Sequence, residues 1–233
     1  MTYLELVQRL RIESGYANTG PSSVAGQTGD HERAAAWIAS AYTELQGRHD
    51  WRWMRKGFTL TLSSGTDAYD YTSAIDDVTS AAITRFKSWH FKDPWNPPKC
   101  YLQSSGSGTE YWLTYVPWEH FRTIYKIGTQ TPGAPAHITI DPNDNIVIGP
   151  EPNDTYVLSG EYNRSAQVLS ANGDTPEMPS DYHMLIVYDG LKKYGLWRPA
   201  PEAVTRAQEE GRPLLRRLEK NQMFMPRMRG PLA

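Results

Sequence analysis

The oxygen side chains of Asp141-Pro142-Asn143-Asp144-Asn145 stand at the first, third and fifth places of a run, the spacing with which a helix-loop-helix calcium site begins. The continuation does not match: the sixth place is Ile146 instead of glycine and the twelfth is Pro152 instead of glutamate, so a hairpin turn is expected. Cleaving a glycan would need two carboxyl groups across a cleft, and Glu110 with Glu119 is the pair that stands near a group of tryptophans. Those tryptophans, Trp89, Trp95, Trp112 and Trp118, have faces on which sugar rings could stack. No carboxylate and amide grouping accompanies them to hold hydroxyl groups, so core or interface packing is the expected use. His31, His49, His90, His120, His137 and His183 never recur at metal-ligand spacing on one helix face. A GxSxG elbow, a Walker loop, a GxGxxG after a strand and an HExxH pair are all missing from the sequence. The expectation is a protein that is not an enzyme and takes no metal and no cofactor.

The elements that would position any such residues are set by composition first. A chain of 233 residues, 39% hydrophobic and 21% charged, can bury a sizeable core. Eight Trp and fourteen Tyr exceed what that core needs, which points to interfaces or ligand platforms. The net charge of −2 argues against a general nucleic-acid binder. Residues 57–178 hold 7 Lys and Arg against 14 Asp and Glu, whereas the flanks together hold 17 against 12, so an acidic middle joins basic ends. Cys100 is alone and can form no internal disulfide. The charged N-terminal stretch does not resemble a signal peptide, and no run reaches the roughly 20 apolar residues of a membrane span. A soluble product of a cytoplasm is expected, with no membrane partner.

Thr2 and Glu5 have capping-box spacing, and Tyr3, Leu6, Val7 and Leu10 predict a short first helix. A loop over 16–29 then leads to a long helix started by Asp30, whose stripe is Ala34, Trp37, Ile38, Ala41, Tyr42 and Leu45. Trp37, Tyr42, Trp51 and Trp53 are expected to be core. After Gly57 the period becomes two: Phe58, Leu60 and Leu62 face one way, Tyr69 and Tyr71 form a second run, and residues 81–91 a third. The proline-rich Asp93 to Lys99 reads as a projecting loop or an edge. Runs 99–103 and 110–116 flank a turn at Ser104 to Gly108, Pro117 begins a short helix through Trp118, Phe121, Ile124 and Tyr125, and Ile138, Ile140, Ile146 and Ile148 make a further hairpin. Tyr156, Leu158 and Tyr162 continue the sheet. A helix capped by Ser180 follows, then one from Pro201 that Gly211 and Pro213 should kink or divide. The fold class read from this order is α+β: a four-helix bundle formed by the N- and C-terminal helices with an inserted antiparallel β domain, a sandwich or barrel. Its parts are residues 1–56 and 179–222 for the bundle, 57–178 for the insertion and 223–233 for an extended tail.

Gly26-Gln27-Thr28-Gly29, Arg33, Trp37-Ile38, Ala41-Tyr42, Leu45-Gln46 and the exit Trp51-Arg52-Trp53-Met54-Arg55 resemble the N-terminal half of tailed-phage head-to-tail adaptor proteins of the podophage type. The likeness extends to Tyr115-Val116-Pro117-Trp118 with Phe121, to Gly149-Pro150 and Pro152, to Tyr156, Gly160 and Tyr162, and to Pro176, Pro179, His183, Leu185-Ile186-Val187-Tyr188 and Tyr194. Residues 64–99 match least. These are packing and turn residues, not a catalytic signature. The resemblance implies a virion structural protein in a homo-oligomeric ring, expected to be a dodecamer, between the portal protein and the tail nozzle or tail tube. It implies the bundle toward the portal, the β domain toward the tail, and non-specific passage of DNA. A carbohydrate-binding module, or a tail-associated protein that binds glycans or cleaves peptidoglycan, is the alternative.

Two surfaces are candidates for partners. Met223, Phe224, Met225 and Met228 would be costly to expose, and Arg227 and Arg229 could meet acidic groups, so the tail is expected to dock on the portal or on a neighbouring subunit. Trp95 and Asn96, in the proline-rich loop, are expected on the side of the tail.

Overall fold

In the computed structural model, which describes residues 1–15, 20–93 and 95–223, Thr2 and Glu5 close a capping box. The Thr2 Oγ1 accepts from the Glu5 amide at 3.3 Å, and Glu5 Oε2 accepts from the Thr2 amide at 2.9 Å. They start α1 (Tyr3–Glu13), which is followed by α2 (Gly29–Gly47). Asp30 does not cap α2. The N-cap is Thr28, with no side-chain bond, while Asp30 lies inside the first turn, where a carboxylate suits the helix dipole and can pair with arginines. The first residues of the preceding loop, 16–19, lie outside the described residues.

The chain divides into two compact units, Met1–Met54 with Ala166–Ala233, and Arg55–Ser165. In the first unit α1 and α2 share one core with α4 (His183–Trp197) and α5 (Pro201–Gln222). Leu6, Leu10, Ile38, Leu45, Ile186 and Leu191 are closed to solvent in it. Close approach is possible because Gly190 of α4 has no side chain, and a Cβ there would come within 3.1 Å of Ile38. Ser180 does not cap α4 either, because Ser180–Tyr182 form a 3-10 turn before it. Pro213 sits inside an undivided α5. Its exposed position puts the carbonyl that loses an amide partner on the solvent side, where water can replace the missing bond.

Trp51 is buried completely, stacks on Trp53 at 4.7 Å and donates from Nε1 to the Leu45 carbonyl at 2.8 Å. Trp37 is only partly buried, a correction to its place in the stripe: at 100° per residue it falls at the margin of the face centred on Ile38 and Leu45. Residues 166–178 also depart from expectation, since they pack with the helices. Leu169 and Met178 are in the helical core, and Gln46 pins this segment by accepting from the Gln167 amide at 2.8 Å and donating to its carbonyl at 3.0 Å. With these units the charge contrast shrinks: residues 55–165 hold 9 cations against 12 acids, and the rest of the chain 15 against 14.

The second unit contains β1 (Arg55–Leu62), β2 (Ala68–Tyr69), β3 (Ile75–Asp76), β4 (Ala81–Ala82), β5 (Ser88–Trp89), β6 (Lys99–Leu102), β7 (Tyr111–Trp112) and β8 (Thr114–Tyr115). Then come α3 (Trp118–Tyr125), β9 (His137–Ile140), β10 (Ile146–Gly149) and β11 (Tyr156–Asn163). One sheet runs β4-β3-β1-β11-β6-β7, with β5 also on β11; the other runs β2-β10-β9-β8. Pairing is antiparallel apart from β8 on β9, which is parallel. Phe58, Leu60 and Leu62 point inward as their alternation requires, and meet Ile138, Ile146 and Ile148 in one core. The third run is corrected. Residues 81–91 split into β4 and β5, and between them Arg85 donates from Nε and a terminal nitrogen to the Ser165 carbonyl at 3.2 and 2.7 Å. Tyr71 falls in a 3-10 turn, not in a strand with Tyr69.

Candidate interaction surfaces

The oxygen-rich run at Asp141 closes on itself. Asp141 Oδ1 accepts from the amides of Asn143 at 2.8 Å and Asn145 at 2.9 Å, its Oδ2 accepts from Asn145 Nδ2 at 3.0 Å, and Asp144 takes φ 64° in the turn. Among the described residues no group of three or more His, Cys, Asp or Glu is arranged to hold a metal ion. Glu110 pairs with Lys99 at 3.4 Å, whose ammonium lies 4.9 Å from the Trp112 ring centre. Glu119 lines a different hollow, with Arg122, Thr123, Lys126 and Ile127. The tryptophans do not form one platform. Trp89 is core, donating from Nε1 to the Asp144 carbonyl at 2.7 Å, and Trp118 stacks on Phe121. Trp112 is 57% exposed and Trp95, beside exposed Asn96, is 91% exposed.

The buried ionisable groups hold the fold. Asp76 accepts at Oδ1 from the Val78 and Thr79 amides at 2.8 and 2.9 Å, and at Oδ2 from the Tyr162 hydroxyl at 2.5 Å and Arg164 at 3.0 Å. Burial alone would raise its pKa; these four donors outweigh it and hold the carboxyl well below the usual range. Asp189 is paired with Arg48 and Lys192, both at 2.7 Å, and Glu13 ties Arg9 of α1 to Arg206 of α5. Burial pushes the Cys100 thiol up to about 11, which keeps it from acting as a nucleophile.

His183 has its Nδ1 2.9 Å from the Met1 amino nitrogen and its Nε2 3.1 Å from the Met178 carbonyl. Burial lowers its pKa from the ordinary 6.5. The unfolded chain therefore takes up this proton first as pH falls; the stability that neutral His183 supplies is complete above the ordinary value and is lost below it. Denaturation midpoints at about pH 7.5 and about pH 5.5 should show an acid loss in the parent that shrinks in His183→Gln. An equal loss in both proteins would assign it to other groups.

The surface with the chemistry of a binding site lies where the start of α2 meets the end of α4. Trp197 is 40% exposed and Leu196 79% exposed. The guanidinium carbons of Arg33 and Arg198 lie 4.5 and 4.8 Å from the Trp197 ring centre, and Asp30 pairs with both, at 3.8 and 3.1 Å. Trp37 and Tyr194 back the cluster, their rings packing at 6.1 Å and Trp37 meeting Trp197 at 5.6 Å. One carboxylate shared by two half-exposed arginines leaves cationic N–H groups turned to solvent around an exposed aromatic. Trp, Tyr and Arg are the residues that carry most of the energy at protein interfaces. This cluster was not among the sequence candidates; its one local signal is that Leu196 and Trp197 lie off the apolar stripe of α4.

Of the tail residues, Met223 caps α5 and packs partly buried against its own helical core. Phe224, Met225, Arg227, Met228 and Arg229 lie outside the described residues. Among the described residues no helix is long and apolar enough to cross a membrane. Compared with known proteins, residues 1–231 match the family model described as SU10 adaptor protein. No curated protein matches the chain.

Proposed function

The chain belongs to the SU10 adaptor protein family, and on that premise we propose that it assembles as a homo-oligomeric ring, a dodecamer, between the portal and the tail nozzle or tube. In this reading it is made in the host cytoplasm, resides at the head-to-tail junction of the virion, lets DNA pass and catalyses nothing. The four helices around one core act as a bundle turned to the portal, and the two sheets as a sandwich turned to the tail. The family match over nearly the whole chain carries the reading. The cluster of Trp197, Leu196, Arg33 and Arg198 supports it, as a contact for a neighbouring subunit, and exposed Trp95 with Asn96 supports a second contact on the sheet unit. With Met223 packed on its own helical core, the rest of the tail, Phe224 to Arg229, docks on the portal or on the adjacent subunit.

Mass photometry and electron microscopy of the purified protein, alone and with the portal of the same genome, test this. Monomer alone at low concentration and rings with the portal are expected; a protein that ignores the portal and binds polysaccharide as a monomer would overturn the reading in favour of a glycan binder. Trp197→Ala should weaken ring assembly by about 2 kcal/mol per contact, roughly 30-fold in subunit affinity, with a much smaller effect on the melting of the monomer. Unimpaired assembly of this variant would remove the cluster from the interface.

A further inference from the structure

The outward face of the C-terminal half of α5 carries Arg212, Arg216, Arg217 and Lys220, all exposed. Arg212, Arg216 and Lys220 follow one another at four-residue steps, about 6 Å of rise each, with Arg217 alongside. Several other cations of the helical unit are compensated: Arg206 by Glu13, Arg48 and Lys192 by Asp189, Lys193 by Glu44. These four form no ion pair among the described residues. Of the acids of α5, Glu202 and Glu210 lie in its earlier part, Glu209 stands one turn before Arg212 without an ion pair to it, and Glu219, one turn after Arg216, meets His49 at 3.4 Å. Helix polarity accounts for a cation in the last turn, hence for Lys220, but its effect does not reach back to Arg212 and Arg216. The face also lacks what a protein interface centre needs: apart from Pro213 and Asn221 its exposed side chains are charged, and Leu214 and Leu215 pack toward the core.

We infer that this face of α5 binds the phosphate backbone of duplex DNA without reading its sequence. A row of cations outside any ion pair on a rigid helix neutralises successive phosphates and releases their counterions, and phosphate contacts carry no base information. The inference rests on the adaptor reading only in that this role brings DNA within reach of the protein. Four contacts set the expected size of the effect. The logarithm of the binding constant should fall with the logarithm of salt concentration with a slope of about −3 to −4, so affinity drops roughly 100-fold between about 50 and about 200 mM salt.

The test is fluorescence anisotropy of the full chain with two labelled duplexes of unrelated sequence, over that salt range, with polyglutamate as competitor. The parent should bind both duplexes alike with the stated slope, and the combined variant Arg212→Gln, Arg216→Gln, Arg217→Gln, Lys220→Gln should lose most of the slope and the affinity. Arg212→Lys, Arg216→Lys, Arg217→Lys should keep both, which a loss of fold would not allow. A quadruple variant that binds DNA like the parent overturns the inference, and so does polyglutamate that displaces DNA at equal charge, since the face would then fit an acidic protein. Ring assembly of the parent with the portal, scored separately, tells the two ideas apart: rings with unaltered DNA binding in the variant sink only the inference, and DNA binding lost in the variant of a parent that never forms rings sinks only the adaptor role.

Discussion

Trp51→Ala should lower the stability of the helical unit by about 3 to 5 kcal/mol, the cost of truncating a fully buried aromatic that cannot be refilled. The ring is closed to solvent, stacks on Trp53, meets the edge of His49 at 4.9 Å and supplies a donor to the Leu45 carbonyl. Alanine would leave a cavity and strip that carbonyl of a partner at the end of α2, so a transfer loss and a hydrogen-bond loss add. Trp37→Ala is the informative comparison. Trp37 is partly exposed and packs on Tyr194 and Trp197, whose rings can close over the gap, so its cost should be about 1 to 2 kcal/mol. Urea denaturation followed by helical circular dichroism would rank the two, and a Trp51→Ala midpoint equal to the parent's would refute this account of the core.

The second large effect is expected from Asp76→Ala in the sheet unit. Its carboxylate is the shared acceptor for two backbone amides that shape the turn after β3, for the Tyr162 hydroxyl on β11, and for the largely buried Arg164 guanidinium. Removal leaves a buried cation and a buried hydroxyl without this acceptor, and breaking a buried pair in this way costs about 3 to 5 kcal/mol. Because the folded carboxyl titrates below its ordinary value of 3.8, its contribution is complete above that value and declines only as pH falls through the acid range beneath it. Pairing Asp76→Ala with Arg164→Met should recover part of the loss, since the stranded charge goes too. Strictly additive losses in that double variant would mean that the two groups do not act as a pair.

Much of the architecture is written locally. The capping box at Thr2, the alternation of Phe58, Leu60 and Leu62, and the Ile138–Ile148 hairpin around Asp141 each follow from a period or a cap that a few neighbouring residues define. Resemblance over packing and turn residues was likewise enough to point to the family that the comparison then matched. The departures share a different cause. Asp30 looks like a cap by type and position, yet the arginine from the far end of α4 that it engages, Arg198, lies 168 residues away in the chain. Trp37 belongs to a helical stripe by count, but its burial depends on how wide a face the neighbouring helices cover.

The sequence by itself determined the helices, the longer strands and most of their inward faces, and with them an α+β fold, because side-chain periodicity is a property of the local backbone. Only the tertiary structure decided that β8 pairs in parallel with β9, that residues 166–178 join the helices through Gln46, and that Arg33, Trp197 and Arg198 meet over Asp30. Partners of that kind are chosen by which long-range contacts satisfy buried amides, charges and apolar surface together, and no short stretch of chain contains that information.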